Sequence, residues 1–465
     1  MSHLTLFLLL LDYIVLTTAE GAAVLLRNSF VHGSVLHISG ANFWLAFPAM
    51  YILFLSLKQL YTRRMPFYKE TEQIFYACLY GIAAIVFLLY ASKIAASTSR
   101  LFVVLFGILA FLFLIIARYL AKKYLLKHRL LQTPVLIIGA GKTAALLARA
   151  MTRDIGMAYR IVGLLEDKKP EPGILEDFPV LGTFAEAEKV IEETGVRHAF
   201  IAAPGMPQED LAALIYRVQP LVKNLGVIPN LVGVAMGSAE IENLSDEKIC
   251  LLRLKNNLNR KGNRILKRLF DLFVFAIIVI PVSAIIGITY IAIKLESKGP
   301  AFFNAERIGK NGKTFKCYKM RSMYMNSDKI LADYLEKHPE AKEEWEQFQK
   351  LRGEDPRVTK VGKIIRKYSI DELPQIFNVF EGTMSLVGPR PYLPREKEKM
   401  GKFFQTICLT MPGITGMWQV SGRSDIDYEE RVRLDSWYVR NWNLWLDIVL
   451  LFKTFYVVLA RKGAY

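Results

Sequence analysis

The sequence predicts an integral membrane protein that is part helical bundle and part α/β. Three observations carry that class. Four apolar runs fill the first quarter of the 465 residues. A strand, a glycine turn and a helical pattern follow them, and a fifth apolar run comes later with cations on both flanks. A hydrophobic share of 52% is high for a water-soluble chain, and the length suits several domains.

The four runs lie at roughly 4–26, 43–61, 74–94 and 99–121. Each approaches the ~20 residues that cross a bilayer as a helix. The first has no cleavage site and carries Asp12, so it reads as an anchor. An acid at that depth is either functional or paired inside the bundle. Lys58, Arg63, Arg64 and Lys69 separate the second and third runs; Arg118, Lys122, Lys123 and Lys127 follow the fourth. The connection 27–42 has only Arg27. The positive-inside rule therefore places both ends of a four-helix transmembrane bundle, 1–124, in the cytoplasm. The net charge of +17 suits anionic partners: nucleic acid, acidic lipid heads or phosphorylated small molecules. Cys78, Cys250, Cys317 and Cys408 are too far apart in sequence for metal-ligand spacing and read as thiols in a reducing compartment.

In "TPVLIIGAGKTAALLARAM", Gly139, Gly141 and Ala144 fit G-x-G-x-x-A, with Glu166 and Asp167 some way downstream. This outlines a dinucleotide-binding βαβ unit. Leu136, five before Gly141, excludes a Walker A loop. "HAFIAAP" and "NLGVIPN" continue the strand pattern, so 133–250 reads as a Rossmann-like α/β domain. It has no Tyr-x-x-x-Lys pair of a short-chain dehydrogenase, and a regulatory or structural role is expected rather than redox chemistry.

A basic linker leads to the fifth apolar run, 269–295, flanked by Arg260, Lys261, Arg264, Lys267 and Arg268 before it and Lys294, Lys298 and Arg307 after it. Cations on both sides keep both ends in the cytoplasm, and Pro281 removes a backbone donor mid-run. Hydropathy alone would make it a fifth span; the flanks favour a helix that enters, bends and returns. Beyond 300, "FFNAERIGKNGKTFKCYKMRSM" reads as a hairpin about Lys-Asn-Gly, followed by a charged helix near 327–351. Trp437, Trp442 and Trp445, with Tyr438 and Arg440, read as an interfacial belt or as ordinary core.

Between these lies "SIDELPQ", where Asp371 and Glu372 stand together among cations. Ser369 and Glu372 have capping-box spacing, though Pro374 disturbs that register unless Asp371 is itself the cap. Phosphate chemistry offers another use: cations neutralise the transferring group, and a carboxylate holds Mg²⁺ or attacks phosphorus. Lys319, Arg321, Arg366 and Arg390 are the candidate cations, with Gln375 a further candidate substrate ligand. Beside a membrane-dipping helix the substrate would be a phosphorylated lipid.

"KRLFD", "KMRSM", "DPRVTKVG", "IRKYSIDELPQIFNVFEGTMSLVGPRP", "PGITGMWQVSGR" and "DSWYVRNWNLWLDI" run in one order through 260–465. This stretch resembles the bacterial sugar transferases, monotopic phosphoglycosyltransferases acting on polyprenyl phosphate. The whole chain, including the terminal "GAY", resembles the large form of that family. The resemblance implies a C-terminal catalytic domain with a re-entrant membrane helix on the cytoplasmic face of the bacterial inner membrane. It implies that Asp371 attacks the β-phosphate of a UDP-sugar, releasing UMP, and that undecaprenyl phosphate takes the phosphosugar. Mg²⁺ held partly by Asp371 and a helper role for Glu372 are implied as well. Galactose is favoured by similarity, nucleic acid is not expected as a partner, and a homodimer is left open. The family often has Ser before the kink proline; here Ile280 precedes Pro281, and Ser283 lies just beyond.

Overall fold

The computed structural model describes residues 3–31, 40–91, 98–130, 132–168, 170–230, 239–244, 249–254, 256–338, 355–421 and 427–459. The chain divides into two units, Met1–Gly233 and Val234–Tyr465.

The first unit opens with α1 (His3–Phe30), α2 (Phe47–Leu57), α3 (Phe67–Ala91) and α4 (Arg100–Lys127). Of these, α1, α3 and α4 are long and apolar enough to cross a membrane, and α2 is shorter. Pro48 falls in the first turn of α2, where its missing N–H costs little. Leu16, Tyr51, Leu55, Ile74, Phe106 and Leu114 lie in a continuous core, while Leu10, Ile14, Phe87 and Ile116 face outward. Asp12 is paired inside the bundle. Its carboxylate receives Arg118 at 2.5 Å and the Tyr61 hydroxyl at 2.7 Å. Arg118 also donates to Glu70 at 2.9 Å, and Lys122 reaches Glu70 at 2.6 Å. All three acid–base members Asp12, Arg118 and Glu70 are buried, so each charge needs the others.

A parallel sheet follows: β1 (Thr133–Ile138), β2 (Tyr159–Leu165), β3 (Val180–Gly182), β4 (His198–Ile201) and β5 (Asn224–Val227), ordered β3-β2-β1-β4-β5. The order reverses between β1 and β4, as in a doubly wound fold. Val135 and Ile137 of β1 face one apolar layer, Leu136 and Ile138 the other, so both faces of the sheet are covered. The glycine turn leads into α5 (Lys142–Arg153), and α6 (Ala187–Thr194) and α7 (Gln208–Val218) follow in the same domain. Gly139 has φ +117°, and a Cβ there would lie 2.8 Å from the Ala202 carbonyl oxygen.

The second unit begins with a hairpin, β6 (Ala239–Leu244) and β7 (Ile249–Leu254), and continues into α8 (Lys261–Glu296). This 36-residue helix includes the fifth apolar run and continues through Pro281. The hairpin expected beyond 300 is present as β8 (Phe302–Ile308) and β9 (Thr314–Met320), with Asn311 left-handed in the turn. The charged stretch is helical over Ser327–Lys337; its part from 339 to 351, like the terminal 463–465, lies outside the described residues. Helices Lys360–Lys367, Gln375–Glu381, Tyr428–Asn441 and Leu444–Leu459 complete the unit, with two short strands, β10 (Ser385–Val387) and β11 (Gly413–Thr415), pairing in parallel.

The aromatic stretch is core rather than a belt. Trp442 is 2% exposed, Trp445 4% and Tyr438 0%, and only Trp437 among them is substantially exposed. The reason is a buried polar knot that pulls them inward. Asp447 accepts from Trp442 Nε1 (3.0 Å), Tyr438 Oη (2.6 Å) and Lys267 Nζ (2.6 Å).

Candidate active site

Asp371 sits in a single 3₁₀ turn, Ile370–Glu372, entered through Ser369 at φ +56°. Neither capping scheme from the sequence is used: Ser369 makes no side-chain cap, and the N-cap position of the following helix is Pro374 rather than Asp371. Instead the backbone tightens to i→i+3 bonds, Glu372 N to Ser369 O and Leu373 N to Ile370 O. Pro374, which lacks an N–H, then precedes the helix Gln375–Glu381 without removing a needed bond. The turn projects the acid pair at the head of that helix. Gln375 is buried at its first position.

One side chain ties this helix to the hairpin. Asn378 accepts from Tyr318 N at 2.9 Å and donates to Lys316 O at 2.8 Å. Lys319, next along β9, thereby reaches Glu372 at 2.6 Å. Arg366 is held from the other side, donating Nε–H to Ser322 Oγ at 2.8 Å. Its own neighbours Asp355 and Arg357 form a two-pronged ion pair at 2.6 and 2.8 Å. Among the described residues no cation lies within 4 Å of the Asp371 carboxylate. Burial and the adjacent Glu372 push it up to about 6, against the pull of Lys319 and Arg366. At neutral pH it is still mainly ionised, and it lacks a close countercharge.

Arg390 enters on the "GPRP" loop. Gly388 lets that loop pass the β11 backbone, where a Cβ would lie 2.7 Å from Gly413 N. Buried Asp435 fixes the loop by accepting from Arg390 N (2.9 Å) and Tyr392 Oη (2.8 Å). The Arg390 and Arg431 guanidinium groups both lie over the Trp418 ring, at 5.6 and 5.1 Å. Arg321 does not join the acid pair's partners. Its guanidinium donates to Ser297 O and Lys298 O, at 2.9 and 2.8 Å, and holds the turn after α8.

Sequence reasoning missed Arg307 as a site residue. Its Nε and one Nη are buried without a partner among the described residues. Burial and the charge of Arg390 lower its proton affinity, with Glu372 and Glu396 acting the other way. Its lone signal in the sequence was its place before the Gly-Lys-Asn-Gly turn, which fixes where its side chain emerges.

The donor set fits a hard divalent cation held largely by a substrate. Among the described residues no trio of His, Cys, Asp or Glu converges. One carboxylate without a countercharge beside an Arg- and Lys-rich surface suits Mg²⁺, which takes one or two protein carboxylates plus phosphate oxygens.

In the Rossmann-like domain, Gly141 caps α5 and Ala144 is buried against the sheet. Of the motif residues Gly139, Gly141 and Ala144, Gly141 lines a cavity of about 760 Å³, together with Lys142, Thr143, Glu166 and Asp167. Glu166 at the end of β2 folds back on the loop, accepting from Ala140 N at 2.7 Å.

Comparison with known proteins agrees with this architecture. A family model for bacterial sugar transferases matches residues 262–461, and a CoA-binding domain model matches 58–229. An undecaprenyl-phosphate galactose phosphotransferase of Salmonella typhimurium is 35% identical over 415 residues, covering 87% of this chain and 84% of that protein. A UDP-galactose-lipid carrier transferase of Erwinia amylovora is 35% identical over 409 residues, 87% and 84% of the two chains. An exopolysaccharide production protein, ExoY of Sinorhizobium fredii, is 42% identical over 199 residues, 43% of this chain and 88% of its own. The chain belongs to the bacterial sugar transferase family. It is a phosphotransferase enzyme with membrane helices.

Proposed function

We propose that this protein transfers hexose 1-phosphate from a UDP-sugar to undecaprenyl phosphate, as the first membrane step of a surface polysaccharide. The observation that carries the reading is Asp371: a part-buried carboxylate without a close cation, on a tight turn within the electrostatic reach of Lys319 and Arg366. The relatives' names supply the substrate classes, and two of them favour galactose.

In the proposed first step an Asp371 carboxylate oxygen attacks the β-phosphorus. The bond from that phosphorus to the bridging oxygen breaks, and UMP leaves with the oxygen. The enzyme then carries a mixed aspartyl phosphosugar anhydride. A phosphate oxygen of undecaprenyl phosphate attacks the same phosphorus, and the carboxylate departs unchanged. Arg390, Arg366 and Arg307 clamp phosphate oxygens, Arg being able to do so with two donors at once. Glu372 keeps Lys319 beside the attacked group. Asp371 would hold Mg²⁺ in part, and the cation would supply countercharge to the diphosphate.

The acceptor is lipid, and α8 is suited to meet it. Leu269, Phe273, Ile277, Ile280, Ile288 and Leu295 form an exposed apolar stripe along its length. Its other face is anchored at both ends to the same unit: Lys267 to Asp447, and Glu296 to the backbone N–H groups of Lys360 and Val361. A helix crossing ~30 Å of hydrocarbon would carry its ends to opposite sides. Anchorage of both ends to one unit supports a helix that enters one leaflet and returns, with the catalytic domain cytoplasmic.

Incubation with UDP-sugar radiolabelled in the β-phosphate should label the wild type covalently and release UMP. Asp371→Asn should stay folded and unlabelled. Labelling of the folded mutant at wild-type level would remove Asp371 as nucleophile.

A further inference from the structure

The first unit has a second cavity, of about 1170 Å³, that the transfer chemistry does not use. One wall is the connection between α2 and α3. The other is the edge of the sheet opposite the glycine turn, since Thr133, Tyr159, His198 and Asn224 are the first residues of β1, β2, β4 and β5. The walls are fixed to each other. Asp154 accepts from Phe67 N at 2.8 Å and from Gly156 N at 2.7 Å. A Cβ on Gly156 would strike Met65 O and Phe67 N, so the loop and the domain meet backbone to backbone.

Lys58, Arg63, Arg64, Lys69 and Lys223 line this cavity, and among the described residues no Asp or Glu does. Lys69 has Glu72 beside it. Lys58 lies over the Tyr76 and Tyr80 rings, at 5.8 and 5.0 Å. Arg63 and Lys223 have no carboxylate within 4 Å among the described residues. Burial and the charges of Arg64 and Lys223 hold His198 below its ordinary range, which keeps a sixth positive charge out. Like charges gathered in a concave wall focus a positive field and call for an anion.

The cavity opens where α2 ends. Leu57 lines it, and Leu53 and Leu57 are exposed at 55% and 66% on the adjoining helix. A ligand with a phosphate for the cations and an apolar tail for these leucines satisfies both surfaces. We propose that this basic cavity seats the phosphate headgroup of an anionic membrane phospholipid, holding the Rossmann-like domain against the bilayer surface. Basic clusters immediately beside a membrane helix attract such lipids through each cation.

The test uses the full-length protein in neutral detergent, titrated with dihexanoyl phosphatidylglycerol, dihexanoyl phosphatidylcholine or inorganic phosphate while thermal unfolding is followed. Wild type should show a saturable rise in Tm with phosphatidylglycerol and none with phosphatidylcholine. Arg63→Gln/Lys223→Gln changes two exposed side chains. It should leave the lipid-free Tm and transferase activity unchanged while raising the half-saturating phosphatidylglycerol concentration at least about tenfold, two headgroup charges being removed. The single variants should fall between. An unaltered titration in the double variant, or an absence of response in wild type, would overturn the site. A full response to inorganic phosphate alone would overturn the lipid as its occupant.

Discussion

Asp371 has a conflict between stability and chemistry that can be measured. Its carboxyl is pushed up to about 6 by burial first and Glu372 second. A carboxyl raised above its unfolded value favours folding below that value, and the benefit is lost as pH rises through about 6. Asp371→Asn should therefore raise Tm relative to wild type at pH 8, corresponding to about 1–3 kcal/mol, with the difference closing by pH 4. The attacking form is the ionised one. In wild type, kcat/KM for the UDP-sugar should drop about tenfold per pH unit below about 6, since that ratio reports the free enzyme. A flat profile between pH 5 and 7 would contradict the assignment, as would an Asn variant less stable at pH 8.

At the scale of elements, the decisive piece is the latch of α8. "KRLFD" lies in the second and third turns of α8, and the structure gives each polar residue a task. Lys267 enters the Asp447 knot, Arg268 donates to the carbonyls of Val379 and Phe380 at the end of the helix Gln375–Glu381, and Asp271 accepts from Leu386 N. Arg268 thus satisfies helix-end carbonyls and complements their dipole. The Lys267–Asp447 pair is buried, at 2% and 0% exposure. Removing one partner strands a charge, so Lys267→Ala should cost about 3–5 kcal/mol in unfolding of the detergent-solubilised protein. Replacing both, Lys267→Met with Asp447→Leu, should recover part of that loss; an additive double mutant would deny the coupling. The aromatic stretch reads either way in sequence for a related reason. Trp442 and Tyr438 carry polar tips suited to an interface, and Asp447 supplies the partner that lets them go inside.

For the whole molecule, the re-entrant reading of α8 makes a topological prediction. Asn259 and Lys313 are exposed residues on either side of the helix. Cysteines placed there singly, in a background without the four native ones, should both resist a membrane-impermeant maleimide in intact cells and react after permeabilisation. Reaction of the Lys313→Cys protein in intact cells would make α8 a true span. Moving cations such as Lys294 and Lys298 across the bilayer costs a few kcal/mol each on insertion scales, which is why the flanks carry the argument.

The sequence by itself determined the bundle, the parallel sheet, the hairpin and the acid pair. Long apolar runs, period-two strands bounded by glycine, and adjacent carboxylates are local signals, set by hydrogen-bond geometry and hydropathy over a few residues. Motif order brought the family within reach for the same reason. The partners had to come from tertiary structure. Lys319 meets Glu372 across 53 residues because Asn378 pins a helix to a strand. Arg321, equal to Lys319 in charge and two positions away, turns instead to the carbonyls after α8. Arg321 lies one residue past the end of β9 and two after Lys319, and that spacing could not separate their roles. Only the elements packed around each guanidinium or ammonium decide which serves the site and which holds the frame.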